Sequence, residues 1–230
     1  MLPQFWTVIP AAGVGSRMRA DRPKQYLSLA GKSVIEHTLS CFLDHPGLLG
    51  LVVSLAVDDP YWPELCCATD PRIQRADGGA ERADSVLAGL RRLSELGARD
   101  ENWVLVHDAA RPNLSRQDLD KLLAELGNDP VGGLLAVPAR DTLKRAGLDG
   151  RVAETIDRSV IWQAFTPQMF RLGALRDALA GALEAGAAVT DEASALEWAG
   201  FSPQLVEGRS DNLKITRPED LQWLQQRWQS

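Results

Sequence analysis

Short apolar runs suited to strands alternate with helical patterns along most of this chain, and that alternation narrows its fold more than any other feature. The runs are Trp6–Pro10, Leu51–Val57, Trp103–His107 and Leu134–Pro138, with helical patterns at Val34–Leu43, Arg82–Leu96 and Asp118–Leu126 between them. Such an order predicts an α/β fold, a Rossmann-like and mainly parallel sheet covered by helices. Further helices are expected near Arg171–Glu184, Glu192–Trp198 and Pro218–Trp228. Open sheets of this kind bind ligands outside the carboxyl ends of their strands, where several polar clusters of this chain stand.

One domain spanning residues 1–230 is expected, because 45% hydrophobic and 24% charged residues make an ordinary soluble composition. No apolar run approaches the roughly 20 residues of a membrane span, and Met1-Leu2-Pro3-Gln4-Phe5 lacks the basic and apolar regions of a signal peptide. A cytoplasmic protein without membrane attachment is the expectation. Cys41, Cys66 and Cys67 are odd in number and lack C-x-x-C spacing, which suggests neither a disulfide framework nor a zinc site. The net charge of −6 argues against nucleic acid as a partner but leaves room for a small anion.

After the first strand comes Ala11-Ala12-Gly13-Val14-Gly15-Ser16-Arg17-Met18, then Pro23-Lys24-Gln25. Gly13 and Gly15 carry no side chain to hold an anion away from the backbone, so the turn's N–H groups can face phosphate oxygens; Arg17 and Lys24 add full charges. Met18 replaces the third small residue of a dinucleotide fingerprint, and Tyr26 stands where a P-loop ending in Gly31-Lys32-Ser33 needs glycine. The plain alternative is a tight strand-to-helix turn.

Asp108 ends the third strand in Val106-His107-Asp108-Ala109-Ala110-Arg111-Pro112, a good position for a carboxylate that shares Mg²⁺ with substrate phosphates; capping the next turn is the structural alternative. Strand alternation turns His107 to the opposite face, for packing or hydrogen bonding and not as a ligand. In Asp77-Gly78-Gly79-Ala80-Glu81-Arg82, a second glycine turn offers backbone groups to a base edge, with Ser85 supporting the loop; it also reads as a plain helix start. Thr166-Pro167-Gln168, Thr190-Asp191-Glu192 and Asn212-Leu213-Lys214 add hydroxyls, a carboxylate and an ammonium suited to a phosphorylated polyol. Thr190 or Asp191 equally suits a helix cap, and Lys214 a strand edge. Between Arg140 and Trp162 weak alternation predicts a protruding hairpin, marginal alone and apt to pack on something, a second subunit included.

Assembled, these segments resemble the 2-C-methyl-D-erythritol 4-phosphate cytidylyltransferases. The resemblance rests on P-A-A-G-x-G-x-R-M and P-K-Q-Y at 10–26, D-G-G-x-x-R-x-x-S-V at 77–86, V-H-D-A-A-R-P at 106–112, D-T-L-K at 141–144, T-P-Q at 166–168, T-D-E-A-S at 190–194 and E-G-x-x-x-N-x-K-I-T at 207–216. It implies a nucleotidyltransferase fold and transfer of CMP from CTP to methylerythritol phosphate with release of pyrophosphate. Pro10, Ala11, Ala12, Gly13, Gly15, Gly79, Ala80, Ser85 and Ala109 would then surround CTP, with Arg17, Lys24 and Lys214 catalytic and Asp108 holding Mg²⁺ or another divalent ion. Arg111, Thr166, Thr190, Asp191 and Lys214 would bind the acceptor. A homodimer is implied, in which an arm at about 139–162 carries Thr142 and Arg158 into the partner's site.

The acceptor phosphate is itself an anionic nucleophile, so this chemistry needs no general base; no serine or cysteine triad is evident in the chain. Positioning and fixed positive charge carry the catalysis. The rival readings are the same transfer to ribitol 5-phosphate and a non-catalytic nucleotide-binding protein.

Overall fold

The computed structural model describes residues 2–13, 18 and 20–229. Strand β1 (Phe5–Pro10) is followed by the two-residue strands β2 (Ser28–Leu29) and β3 (Lys32–Ser33), helix α1 (Val34–Leu43) and strand β4 (Leu48–Leu55). Then come β5 (Ile73–Asp77), α2 (Arg82–Glu95), β6 (Trp103–Val106), α3 (Arg116–Leu126), β7 (Gly132–Pro138), β8 (Leu143–Ala146), β9 (Val152–Ile156) and β10 (Trp162–Arg171). Helices α4 (Leu172–Glu184) and α5 (Glu192–Trp198), strand β11 (Gln204–Glu207) and helix α6 (Pro218–Gln229) complete the order.

Seven strands form one sheet in the order β11-β7-β10-β6-β1-β4-β5. Parallel pairing joins β5 to β4, β4 to β1, β1 to β6 and β11 to β7, whereas β10 runs antiparallel to both β6 and β7. The mainly parallel sheet read from the sequence is therefore present, with one reversed strand inside it.

Period-two alternation sorts the apolar side chains onto two faces. Ile9 and Leu105 pack with Leu39 and Phe42 of α1 and Leu119 and Leu122 of α3. Val8, Val104 and Val106 pack with Leu90 of α2, Leu175 and Leu179 of α4 and Leu196 of α5. Burying one such aliphatic side chain contributes about 1.5–3 kcal/mol, so both covering layers are strongly anchored. A third cluster, with Leu29, Val34, Ala110, Ile215 and Leu224, seats α6 beside the loop after β6.

Local chemistry sets the helix starts. Ser33 accepts from the Glu36 amide at 3.3 Å while the Glu36 carboxylate accepts from the Ser33 amide at 2.8 Å, a reciprocal cap that begins α1 at Val34. Ser115 caps α3, which starts at Arg116, two residues before the periodicity places it. The excursion between β7 and β10 is the expected hairpin: β8 and β9 pair only with each other, and most of their residues are exposed.

Candidate active site

Two cavities of about 270 Å³ each lie at the carboxyl ends of β1, β5 and β6. The first is lined by Pro10, Ala11, Ala12, Gly13, Lys24, Gln25, Gly79, Ala80, Glu81, Arg82, Ser85, Asp108, Ala109, Ala110 and Lys214. The second is lined by Arg82, Asp108, Arg111, Ala164, Phe165, Thr166, Gln168, Thr190, Asp191 and Lys214. They meet at Arg82, Asp108 and Lys214. All the expected nucleotide-side residues that are described fall in the first cavity. Arg111, Thr166, Thr190, Asp191 and Lys214, expected on the acceptor side, fall in the second. Gly15 and Arg17 lie outside the described residues; Thr142 and Arg158 stand on the hairpin segment and line neither cavity.

Gln25 is buried and donates to the carbonyls of Ala11 at 2.7 Å and Gly13 at 3.1 Å, which sets the course of the chain leaving β1. Across the cleft the Gly79 amide donates to Ser85 Oγ at 3.1 Å, so Ser85 does support the loop. A Cβ on Gly78 would stand 2.5 Å from the Ala12 Cβ, and one on Gly79 would stand 2.2 Å from the Asp84 Cβ. Gly78 is therefore needed for the two loops to approach and Gly79 for its loop to fold against the start of α2, where the Glu81 amide donates to Asp84.

Asp108 is the electrostatic centre. Its Oδ1 accepts from Arg82 Nε at 2.9 Å, and its Oδ2 lies 2.8 Å from Lys214 Nζ and 3.5 Å from Arg111 Nε. Burial opposes its ionisation, yet Arg82, Lys214 and Arg111 hold its carboxyl well below the usual carboxylate range. Arg82 also forks onto Glu192, at 2.7 and 3.2 Å. Burial of Arg82 disfavours its charge, but Glu192 and Asp108 more than compensate and raise its pKa. In Arg111 the balance is reversed: burial lowers its pKa despite Asp108. Arg82, Arg111 and Lys214 thus gather around Asp108 where the cavities join, an arrangement of cations that suits polyphosphate.

His107 points to the other face, as alternation requires, its ring edge-on to Phe42 with centroids 5.2 Å apart. Burial lowers its pKa to about 4, so the ring is neutral near pH 7. Its Nε2 lies 3.0 Å from the Arg111 carbonyl, which only accepts, so Nε2 carries the proton and Nδ1 accepts from the Thr166 hydroxyl at 3.0 Å. Thr166 Oγ1 accepts in turn from the Asp108 amide at 3.1 Å. The hydroxyl of Thr166 thus already donates within the fold, and its link to Asp108 is direct.

Asp191 caps α5 by accepting from the Ser194 amide at 2.9 Å, and its other oxygen accepts from Gln168 Nε2 at 2.8 Å. It is at once a cap and a cavity-lining carboxylate. Asn212 Nδ2 donates to the Thr166 carbonyl at 2.8 Å, and Arg111 Nη1 donates to the Asn212 carbonyl at 2.7 Å, so the loop carrying Lys214 is fastened to the acceptor side. Sequence reading assigned no role to Gln25, Arg82, Gln168, Glu192 or Asn212. Each lies inside or beside a motif, but the partners that fasten it across the site lie between 12 and 110 residues away along the chain.

Among the described residues no group of three or more His, Cys, Asp or Glu gathers to hold a metal ion. The donors fit a hard cation shared with phosphate oxygens and water through Asp108, not an all-protein cage. Among the described residues no helix is long and apolar enough to cross a membrane.

The family model for 2-C-methyl-D-erythritol 4-phosphate cytidylyltransferase (IspD) matches residues 5–226. The enzyme of that name from Pseudomonas fluorescens is 74% identical over 227 residues, covering 99% of this chain and 97% of the relative. That of Pseudomonas aeruginosa is 76% identical over 224 residues, covering 97% and 96%. The crystal structure of the Francisella tularensis enzyme superposes with a TM-score of 0.83 at 36% identity, covering 99% of this chain and 100% of that one.

Proposed function

Since the chain belongs to the 2-C-methyl-D-erythritol 4-phosphate cytidylyltransferases, which convert CTP and their acceptor to 4-diphosphocytidyl-2-C-methyl-D-erythritol and pyrophosphate in isoprenoid precursor synthesis, we propose how its residues divide that reaction. The first cavity takes CTP. Gly79, Ala80, Ser85 and Ala109 face the cytosine, and Pro10, Ala11, Ala12, Gly13 and Gly15 face the triphosphate. The second cavity takes the acceptor, with Arg111, Thr190, Asp191 and Lys214 around its polyol phosphate and Thr166 behind them. The observation that carries this division is the meeting of the two cavities at Asp108, Lys214 and Arg82.

At that junction the acceptor phosphate attacks the α-phosphorus of CTP and pyrophosphate leaves. Lys214 reorients from Asp108 toward the incoming phosphate, and Arg17 and Lys24 stabilise charge on the triphosphate. Preorganised cations at developing charge are the largest catalytic term available to a site without a general base. Asp108 would hold Mg²⁺, which neutralises phosphate charge when bound; another divalent ion meets the same oxygen-donor requirement.

The chain works as one nucleotidyltransferase domain, in the cytoplasm, as a homodimer. The arm at about 139–162 carries Thr142 and Arg158 to the acceptor cavity of the partner. Its exposed Val152 and Leu148 support this, since a hairpin with little covered apolar surface is marginal unless it packs on something. Pyrophosphate release with CTP and Mg²⁺, with methylerythritol 4-phosphate and ribitol 5-phosphate in separate reactions, tests the assignment. Release with the first acceptor alone is expected; release with ribitol phosphate alone would move the activity to that substrate.

A further inference from the structure

We propose that Glu192 is a positioning residue that acts through Arg82 to keep one carboxylate oxygen of Asp108 available at the junction of the two cavities. Arg82 is the first residue of α2 and Glu192 the first of α5. Glu192 is only 2% exposed and holds the guanidinium fork, Nη1 to Oε1 at 2.7 Å and Nη2 to Oε2 at 3.2 Å. Arg82 therefore reaches Asp108 by Nε alone, through Oδ1, and Oδ2 is left to Lys214 and Arg111.

An arginine facing a single carboxylate frequently closes on it with two parallel bonds. Without the charge of Glu192, the Arg82 fork turns to the nearest remaining carboxylate, Asp108, and takes both oxygens. Lys214 and Arg111 then lose their shared partner, and Asp108 has no oxygen free to share with phosphate-bound cations. The same pair also ties the helix behind the Gly79 loop to the helix behind Thr190, so the nucleotide and acceptor sides keep one spacing.

The inference rests on the role proposed for Asp108, and the test separates the two. Wild type, Glu192→Gln, Glu192→Asp, Arg82→Lys and the double variant Arg82→Lys with Glu192→Gln are compared by steady-state kinetics, thermal unfolding and Mn²⁺ binding to the CTP complex, read from the paramagnetic resonance of the free ion. Glu192→Gln is expected to lower kcat and Mn²⁺ affinity about 10- to 100-fold, the range for losing a residue that orients a ligand. Glu192→Asp, which keeps the charge in the fork, stays within about threefold of wild type. Lysine has no fork, so the double variant recovers about tenfold relative to Glu192→Gln alone. Wild-type kcat and Mn²⁺ binding in Glu192→Gln, or no recovery in the double variant, would overturn the inference and leave the pair as a structural tie. Asp108→Asn serves as control: if it keeps full activity, the role of Asp108 itself fails.

Discussion

Lys24 Nζ donates to the carbonyl of Ile215 at 3.0 Å, a bond between residues 191 positions apart that joins the segment after the first glycine turn to the loop carrying Lys214. Two ammonium groups of the proposed mechanism are thereby placed on one wall of the nucleotide cavity.

Replacing Lys24 by alanine is expected to lower kcat about 100- to 1000-fold, roughly 3–4 kcal/mol of transition-state stabilisation. Single-turnover measurement of pyrophosphate release checks this. A loss of tenfold or less would make Lys24 peripheral.

Asp108→Asn should cost stability as well as turnover. Arg82, Arg111 and Lys214 converge on this carboxylate, and removing its charge leaves them facing one another in a largely buried site, at a cost of about 2–4 kcal/mol. Denaturant unfolding measures this, and sulfate should restore more stability to the variant than to wild type. An unfolding midpoint equal to wild type would refute it.

Thr166→Val keeps the shape of the side chain but strands His107 Nδ1 and the Asp108 amide. It is expected to lower stability by about 1–3 kcal/mol, whereas Thr166→Ser, which keeps the hydroxyl, stays close to wild type. Equal behaviour of the two variants in thermal unfolding would remove Thr166 from this chain of bonds.

Burial lowers the pKa of His45 from its ordinary 6.5, although its bond to Asp120 at 3.0 Å pulls the other way and nearby Arg116 adds to the lowering. The unfolded chain therefore binds the proton more readily than the folded one, and stability falls as pH drops below about 6.5. Unfolding free energy measured from about pH 7 to pH 5 should decline more gently in His45→Gln than in wild type. Parallel curves would mean that His45 contributes nothing to acid sensitivity.

Arg158→Ala and Lys24→Ala subunits, each nearly inactive alone, are expected to regain part of their activity when mixed, because one site of a mixed dimer then joins an intact cavity to an intact arm. Mixed dimers isolated through two affinity tags and found inactive would refute shared sites.

Much of this was legible because two periodicities and a few turn residues dominate the chain. The helices at Val34–Leu43 and Glu192–Trp198 stand where the pattern puts them, since serine and aspartate caps mark their starts. Three strands of the seven-stranded sheet escaped, as did the two-residue β2 and β3. Ile73–Asp77 and Gln204–Glu207 lie at the two sheet edges and bury one residue each, Ile73 and Val206. Trp162–Arg171 mixes polar residues through a reversed strand whose burial comes from two neighbours, β6 and β7, and not from its own pattern. In the site, loop residues such as Gly79 and Asp108 carry local signatures. Arg82 and Glu192 do not: each reads as an ordinary charge in the first turn of a helix, and only the packing of α2 against α4 and of α4 against α5 brings them together.

Strand β10 runs from Trp162, paired with Pro138 at the root of the hairpin, through an irregularity between Ala164 and Gln168, to Arg171 beside β6. The Ala139 amide donates to the Ile161 carbonyl at 2.9 Å, so the hairpin is braced where it leaves the sheet. Gln168 is a rung of both ladders, and Thr166 lies in the irregular stretch between Ala164 and Gln168. The root of the hairpin and the residues that hold Asp108 and Asp191 are thus one stretch of backbone, paired on both sides of that irregularity. A change in the length of β10 between Ala164 and Gln168 would therefore shift the hairpin relative to the cleft.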